Sequence, residues 1–446
     1  MRRTTSESIA EVPMASKKAR REYPEINPLH IDLNAPPINP RIDKIVNDLI
    51  NPNDRDRIPG VAVAVRKQNK IVHLNCYGYA NLETGAKITL DTIFDLGSLS
   101  KQFTAVAILN LVINNKLSLT DHLSKFFKGF PRYADSITVE DLIHHTSGLP
   151  IYNDIYVASR RAAEDWYKVA MARSDDWYPK MLSRRRKEIT NKDVLRWIAT
   201  QKLLPRPPDT EYEYCNSGYV ILAELVARVT EKRLGEYLKE ALFDGLGMDA
   251  TYVFDEASRF SPKAPEIVNH AKCYNRVSGH FVPVGYTPLN FITGDGNIHS
   301  TIVDLAKWDR NLHALEFNPV RDLLWTPVKV KSRKKQNYGA GWKLLRDKYE
   351  DEIEVKGRRV TRKYERRAEY HRGTWLGWRS FFVRGSRWLV PKGGGIDPRT
   401  KESLGIIVLS NAVFGHEQFT TCRIAQEISK VYWKKNNIMN QLNCGV

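Results

Sequence analysis

The chain has 446 residues and carries 69 Lys+Arg against 51 Asp+Glu, a formal net charge of +18. With 42% hydrophobic and 10% aromatic residues it can bury a sizeable core, which excludes a largely disordered chain and predicts two or three structural units. No apolar run reaches the ~18 residues of a membrane span, and five scattered cysteines form no C-x-x-C pair, so neither a zinc site nor a dense disulfide frame is expected. The basic excess alone is compatible with nucleic acid, a membrane surface or small anions as partners. No zinc-finger spacing or RNA-binding aromatic motif supports the first, so no nucleic acid is expected.

The first 40 residues lack an apolar core of the secretory type and hold several prolines, which predicts a flexible basic leader. The expected compartment on that basis is the cytoplasm. Folded sequence is expected from near Ile42. Gly60–Arg66 and Lys70–Tyr77 read as two strands joined by the polar turn Lys67–Asn69. Ser98–Lys116 has apolar residues on most faces, which predicts a helix buried nearly all round. Three later helices are announced by Thr followed three residues on by Asp: Thr138/Asp141, Thr190/Asp193 and Thr301/Asp304. Residues 152–188 read as a charged helical insertion, and 214–246 as mainly helical. The tail returns to strands at Trp378–Arg384, Trp388–Pro391 and Leu404–Leu409, and ends in an amphipathic helix over about 417–434.

Two early strands are too few for a stable sheet. The economical architecture is α/β (α+β). One antiparallel sheet is built from both chain ends and flanked by helices, with a mainly helical domain inserted. That places 41–97 and 285–446 in the sheet domain and 98–284 in the helical one, with a cleft between them.

Three short patterns could carry chemistry. In Ser98-Leu-Ser-Lys101, a spacing of three puts a hydroxyl and an amine on one helix face. A serine needs a base to become a nucleophile, and a lysine in a dry site can be that base. Ser332-Arg-Lys-Lys335 has the same spacing, so the pattern alone does not select. In Tyr214-Cys-Asn216 a tyrosine beside an ammonium can relay protons, and an asparagine can orient a carbonyl or a lysine. Tyr79-Ala-Asn81 matches it too. Cys215 reads as a small buried filler. His371-Arg-Gly373 is expected at a strand end, where a glycine lets substrate approach the backbone.

In this order the three patterns resemble those of the serine β-lactamase-like and penicillin-binding-protein superfamily, nearest to its branch of class C β-lactamases, D-aminopeptidases and β-lactamase-like esterases. The flanking segments are similar as well: PGVAVAV at 59–65, FDLGSLSKQFTAVAI at 94–108, ITVEDLIHHTSGLP at 137–150 and YEYCNSGYVILAELV at 212–226. GDGNIHSTIVDLAKW at 294–308, YGAGW at 338–342 and GIIVLSN at 405–411 extend the likeness over roughly residues 42–435. The resemblance implies that Ser98 is the acylated nucleophile and that Lys101 and Tyr214 transfer its proton. It implies that Asn216 holds the substrate or Lys101, and that His371 stands where many members have lysine. It also implies an oxyanion hole from the N–H groups of Ser98 and Thr374 beside Gly373, with neither metal nor cofactor.

Two positions depart from the family pattern. Arg372 replaces a small or hydroxylated residue, and strand alternation points it away from the cleft unless it leans round the strand end to grip a carboxylate. Pro208-Asp209 replaces Pro-Gly, and Asp209 can adopt the same turn. The implied activity is acyl transfer to Ser98 and then to water. The expected substrate is a carboxylic ester or small amide. True β-lactam or D-amino-acid peptide hydrolysis is the alternative, and a non-catalytic scaffold the alternative of another class. The charge is concentrated, with sixteen basic against seven acidic residues in 329–372 and ten against five in 156–192. A positive field favouring an anionic substrate and two solvated surfaces are both open readings. Oligomeric state is not legible.

Overall fold

A computed structural model of the chain describes residues 35–51, 57–152, 189–202, 204–255, 269–284, 289–314, 319–328, 330, 337–355, 358–390, 401–414, 420–433, 437–442 and 444. The leader up to residue 34, nearly all of the 152–188 insertion and Ser332–Lys335 lie outside the described residues.

A six-stranded antiparallel sheet draws on both ends of the chain. Its strands are β1 (Val61–Lys67), β2 (Lys70–Tyr77), β3 (Lys343–Val355), β4 (Arg358–Trp375), β5 (Trp378–Val390) and β6 (Glu402–Ser410), in the order β3-β4-β5-β6-β1-β2. β1 and β2 form the expected hairpin, with Gln68 taking the positive φ of +53° that its tight turn requires. β1 pairs on its other side with β6, from Val61 opposite Ser410 to Lys67 opposite Leu404.

Strand alternation sorts the side chains to two buried faces. Ala62, Ala64, Phe382, Ile407 and Leu409 meet the helical body. Val61, Val63, Val65, Phe381, Val383 and Ile406 meet the terminal helices α1 (Pro40–Ile50) and α7 (Thr420–Tyr432). Because both faces are covered, β1 reads as a continuous apolar run. Structure begins ahead of Ile42: the Pro37 carbonyl accepts the Leu74 N–H at 2.8 Å, and the Asn39 side chain caps α1 from the Arg41 N–H at 3.1 Å.

The helical side comprises α2 (Ser100–Ile113), α3 (Val139–Ile143), α4 (Asn191–Thr200), α5 (Asn216–Thr230) and α6 (Ile302–Ala314). Helix α2 is buried on nearly every face, as its composition requires. The Thr–Asp caps of α3 and α4 are reciprocal, the Asp carboxylates accepting the Thr138 and Thr190 N–H groups at 2.9 and 3.1 Å. In the third, the Asp304 N–H donates to Thr301 Oγ1 at 3.2 Å, but the carboxylate turns to Ala250 N and Thr251 Oγ1 at 3.0 and 2.9 Å. That aspartate pins a neighbouring loop instead of closing the box.

The sequence suggests two strands over 378–391, whereas the chain runs through as β5. Gly385 keeps the ladder, opposite Ala368 and Leu404. It is glycine because Trp433 and Met439 pack on it: a β-carbon there would lie 2.7 Å from each. Cys422 and Cys444 form a disulfide that ties the C-terminal segment to α7, a pairing the scattered cysteines did not suggest. No helix among the described residues is long and apolar enough to cross a membrane.

Candidate active site

Ser98 sits in a 3-10 turn, Gly97–Leu99, that leads straight into α2. Gly97 has φ +52°, and its N–H donates to Asp95 Oδ1 at 2.7 Å. The turn is therefore held from behind. Gly97 and Leu99 are buried while Ser98 is half-buried, so in this turn it is the serine that solvent or a ligand can reach.

Lys101 follows three residues on, fully buried, with Nζ 3.2 Å from Ser98 Oγ and 2.7 Å from the Asp295 carbonyl oxygen. The Tyr214 and Tyr219 rings lie 5.0 and 5.5 Å from it. Burial pushes the Lys101 amine down to about 8, with the field of Asp295 opposing. Tyr214 shares a hydrogen bond with Ser98, but burial outweighs it and holds the phenol above its usual range. Burial thus eases proton loss from Lys101 and opposes it in Tyr214.

Asn216 starts α5, and its buried Oδ1 has no hydrogen-bond partner among the described residues. Cys215 is buried with Sγ 3.4 Å from the Leu149 carbonyl, the small filler its sequence reading expects. Asp209 takes φ +56°, the turn that the missing glycine would supply.

His371 lies on β4, with Nδ1 2.7 Å from the Arg372 carbonyl and Nε2 3.0 Å from the Tyr338 hydroxyl. Burial, then the neighbouring Lys101, pushes it down to about 3, so the imidazole is neutral at working pH. Arg372 pairs with Phe381 and His371 with Phe382, which places Arg372 on the face of the terminal helices, away from Ser98.

Gly373 and Thr374 bring β4 against the Ser98 turn. The position of a β-carbon on Gly97 would be 2.8 Å from Thr374 N, and one on Gly373 would run into the Leu96 carbonyl and Ser380 Oγ. Ser380 Oγ donates to that carbonyl at 2.7 Å. Gly373→Ala is expected to pry the strand off the turn, costing about 2 kcal/mol or more of stability. It should also cost at least ~10-fold in acylation rate, because a misplacement near 1 Å is that expensive; thermal melts and active-site labelling read the two effects.

The structure therefore gathers Ser98, Lys101, Tyr214, His371, Gly373 and Thr374. Sequence reasoning assigned no role to Tyr338, which holds His371, nor to Asp295, which holds Lys101. It also passed over Tyr152, whose hydroxyl donates to Asp295 Oδ2 at 3.0 Å, and His145, whose ring centroid lies 4.4 Å from that of Tyr214. None of these has a spacing signal; only burial together reveals them. Among the described residues no His, Cys, Asp and Glu cluster is arranged to hold a metal.

Comparison with known proteins identifies relatives of the chain. Penicillin-binding protein 4* of Bacillus subtilis is 25% identical over 341 residues, which is 74% of this chain and 66% of that protein. A D-aminopeptidase of Brucella anthropi is 28% identical over 262 residues, 57% of this chain and 43% of that protein. The chain thus matches under two thirds of either relative's length. The octameric penicillin-binding protein homologue from Pyrococcus abyssi superposes with a TM-score of 0.64 at 22% identity, covering 91% of this chain and 79% of that one. The penicillin-binding protein from Bacillus halodurans gives 0.59 at 20% identity, covering 88% and 100%. These two likenesses speak for the fold. The model of the family described as Beta-lactamase matches residues 43–428, nearly the whole described structure, and the chain belongs to that family.

Proposed function

We propose that the chain is a serine hydrolase working through an acyl-enzyme on Ser98. The observation that carries this is a fully buried lysine, its pKa lowered to about 8, 3.2 Å from a half-buried serine hydroxyl. Free-base Lys101 takes the Ser98 proton as Oγ bonds to the substrate carbonyl carbon. The oxygen of that carbonyl becomes an anion facing the amides of Ser98 and Thr374. The Tyr214 hydroxyl passes a proton to the leaving group and is refilled from Lys101. Water then attacks the ester on Ser98, its proton returning through the same pair.

The substrate is a carboxylic ester or a small amide. The unpartnered Asn216 Oδ1 favours a substrate bearing an N–H near the scissile carbonyl, which is the amide or peptide reading. That reading is also the one suggested by the D-aminopeptidase relative. An anionic substrate has less support than the composition implied, because basic residues of the β3–β4 hairpin are partly neutralised along it. Lys363 pairs with Glu350 at 2.8 Å, Arg367 with Glu365 at 2.7 Å, and Arg366 with Asp347.

Intact mass after exposure to a fluorophosphonate and, separately, to a penicillin tests the reading. One adduct mapped to Ser98 is expected from the fluorophosphonate, and none from either reagent would overturn it. The labelling rate should climb about tenfold per pH unit below 8 and level off above it, since only the free amine accepts the proton. Turnover of short p-nitrophenyl esters, aminoacyl amides and a chromogenic cephalosporin then ranks the substrate classes.

A further inference from the structure

His145 lies behind Tyr214 at φ +61°, a conformation that Asn, Asp and His adopt more readily than other side chains. It grips the Tyr214 segment through the residues on either side, Glu213 and Cys215. The His145 carbonyl accepts the Glu213 N–H at 2.9 Å, and the Cys215 amide nitrogen lies 3.1 Å from His145 Nδ1 with its N–H aimed at that atom. The ring packs 4.4 Å from Tyr214 and 5.1 Å from Tyr219, centroid to centroid, with the Tyr338 ring edge-on at 4.7 Å.

The backbone amide settles the tautomer. The Cys215 carbonyl is also 3.1 Å from Nδ1 and could accept a proton placed there. Each tautomer leaves one buried donor unmet, the Cys215 N–H or Nε2–H, but the amide always carries its hydrogen, and a proton on Nδ1 would point straight at it, an opposition that Nε2–H avoids. The lone pair therefore sits on Nδ1 and the proton on Nε2. Nε2 is buried and has no hydrogen-bond partner among the described residues. We propose that His145 is a positioning residue: held as the neutral Nε2–H tautomer by the Cys215 amide, it fixes the Tyr214 hydroxyl against Ser98 and excludes water from Lys101.

This rests on the reading of Ser98 and Tyr214 above. The charged and titratable neighbours agree with a neutral ring. Burial, Lys101 of α2, His371 of β4 and the adjacent His144 all hold His145 well below the usual histidine range, with only the Cys215 backbone opposing. From the remaining sides it meets phenols, Tyr212, Tyr214, Tyr219 and Tyr338, which stay protonated because burial raises each of them.

Two variants and one wild-type measurement decide. Asparagine tolerates the positive φ and presents Oδ1 where Nδ1 stood. His145→Ala should label with a fluorophosphonate at least ~10-fold more slowly at pH 8, while His145→Asn should stay within about fivefold of wild type. In His145→Ala, water reaches Lys101 and relieves the burial that lowers its pKa. The midpoint of the labelling profile should then move up from about 8 towards the ordinary lysine range. A core filler would leave that midpoint in place. Nitrogen-15 NMR of the wild-type imidazoles, with His145 assigned through the Cys215 amide, should show Nε2 protonated and Nδ1 bare across neutral pH. That spectrum requires no variant to fold. Wild-type labelling with an unshifted midpoint in His145→Ala, no rescue by His145→Asn, or a proton on Nδ1 would each overturn the proposal. Labelling that persists in Ser98→Ala would instead sink the underlying reading and leave the tautomer result standing.

Discussion

Ser98→Ala is expected to cut ester turnover and acylation by about 10⁴-fold or more while leaving the melting temperature unchanged. The two halves of this expectation have separate causes. The hydroxyl is the atom that forms the bond, so its loss ends the covalent route. It is half-buried and contacts Lys101, not the apolar core, so its loss removes little packing. Neighbouring hydroxyls cannot substitute. Ser100 Oγ is buried and accepts the Ile298 N–H at 3.0 Å, and Ser217 Oγ donates to the Pro150 carbonyl at 2.7 Å while accepting the Tyr152 N–H at 2.8 Å. Lys101→Met should lose a comparable factor, and the double variant should be no worse than either single one, because the two residues act as a unit. Initial rates on a p-nitrophenyl ester, with circular dichroism melts of each variant, check all of this. A folded Ser98→Ala protein retaining a tenth of the wild-type rate would remove Ser98 from the role.

What the sequence could show, and what it could not, follows from the range of each interaction. The β1–β2 hairpin and the buried helix α2 are local patterns and stand where expected. So does the pairing of Ser98 with Lys101, since one helical turn dictates it. The long β3–β4 hairpin was legible only near Tyr370, because its strands are charged on both faces and lack the alternation that marks a strand. Its stabilising signal is cross-strand, as in Glu350 against Lys363, and becomes visible only once register is known. His145, Tyr338 and Asp295 were missed for the same reason: each acts on a residue far away in the chain. The seat of Arg372 needed the register of β5 to settle it.

The same distance in sequence hides the interaction whose loss should cost most in stability. Asp309 on α6 is buried between Arg66 of β1 and Arg384 of β5, at 2.6 and 2.7 Å. Strand parity explains the meeting. Arg66 continues the face of Ala62 and Ala64, and Arg384 that of Phe382, so both emerge under α6. Gly405 pairs with both arginines across the sheet, and a β-carbon there would strike the Asp309 carboxylate. Asp309→Ala removes the carboxylate that two buried guanidinium groups share, and the expected loss is about 3–5 kcal/mol. Asp309→Asn keeps the volume and should still lose most of it, because charge, not shape, is what is missing. Replacing all three residues by apolar ones of similar size should recover much of the loss, since the trio's desolvation cost then vanishes with it. The pH dependence gives an independent check. Burial raises the Asp309 pKa, but Arg66 and Arg384 outweigh it, and the net shift is downward. Its contribution is therefore complete above the unfolded carboxylate value of about 3.9 and fades only as pH falls through the lower folded one. Denaturant melts should show the wild-type advantage over Asp309→Asn constant from pH 5 to 8 and shrinking only in stronger acid. An advantage that vanished already at pH 6 would mean that the carboxylate is not what holds the two arginines.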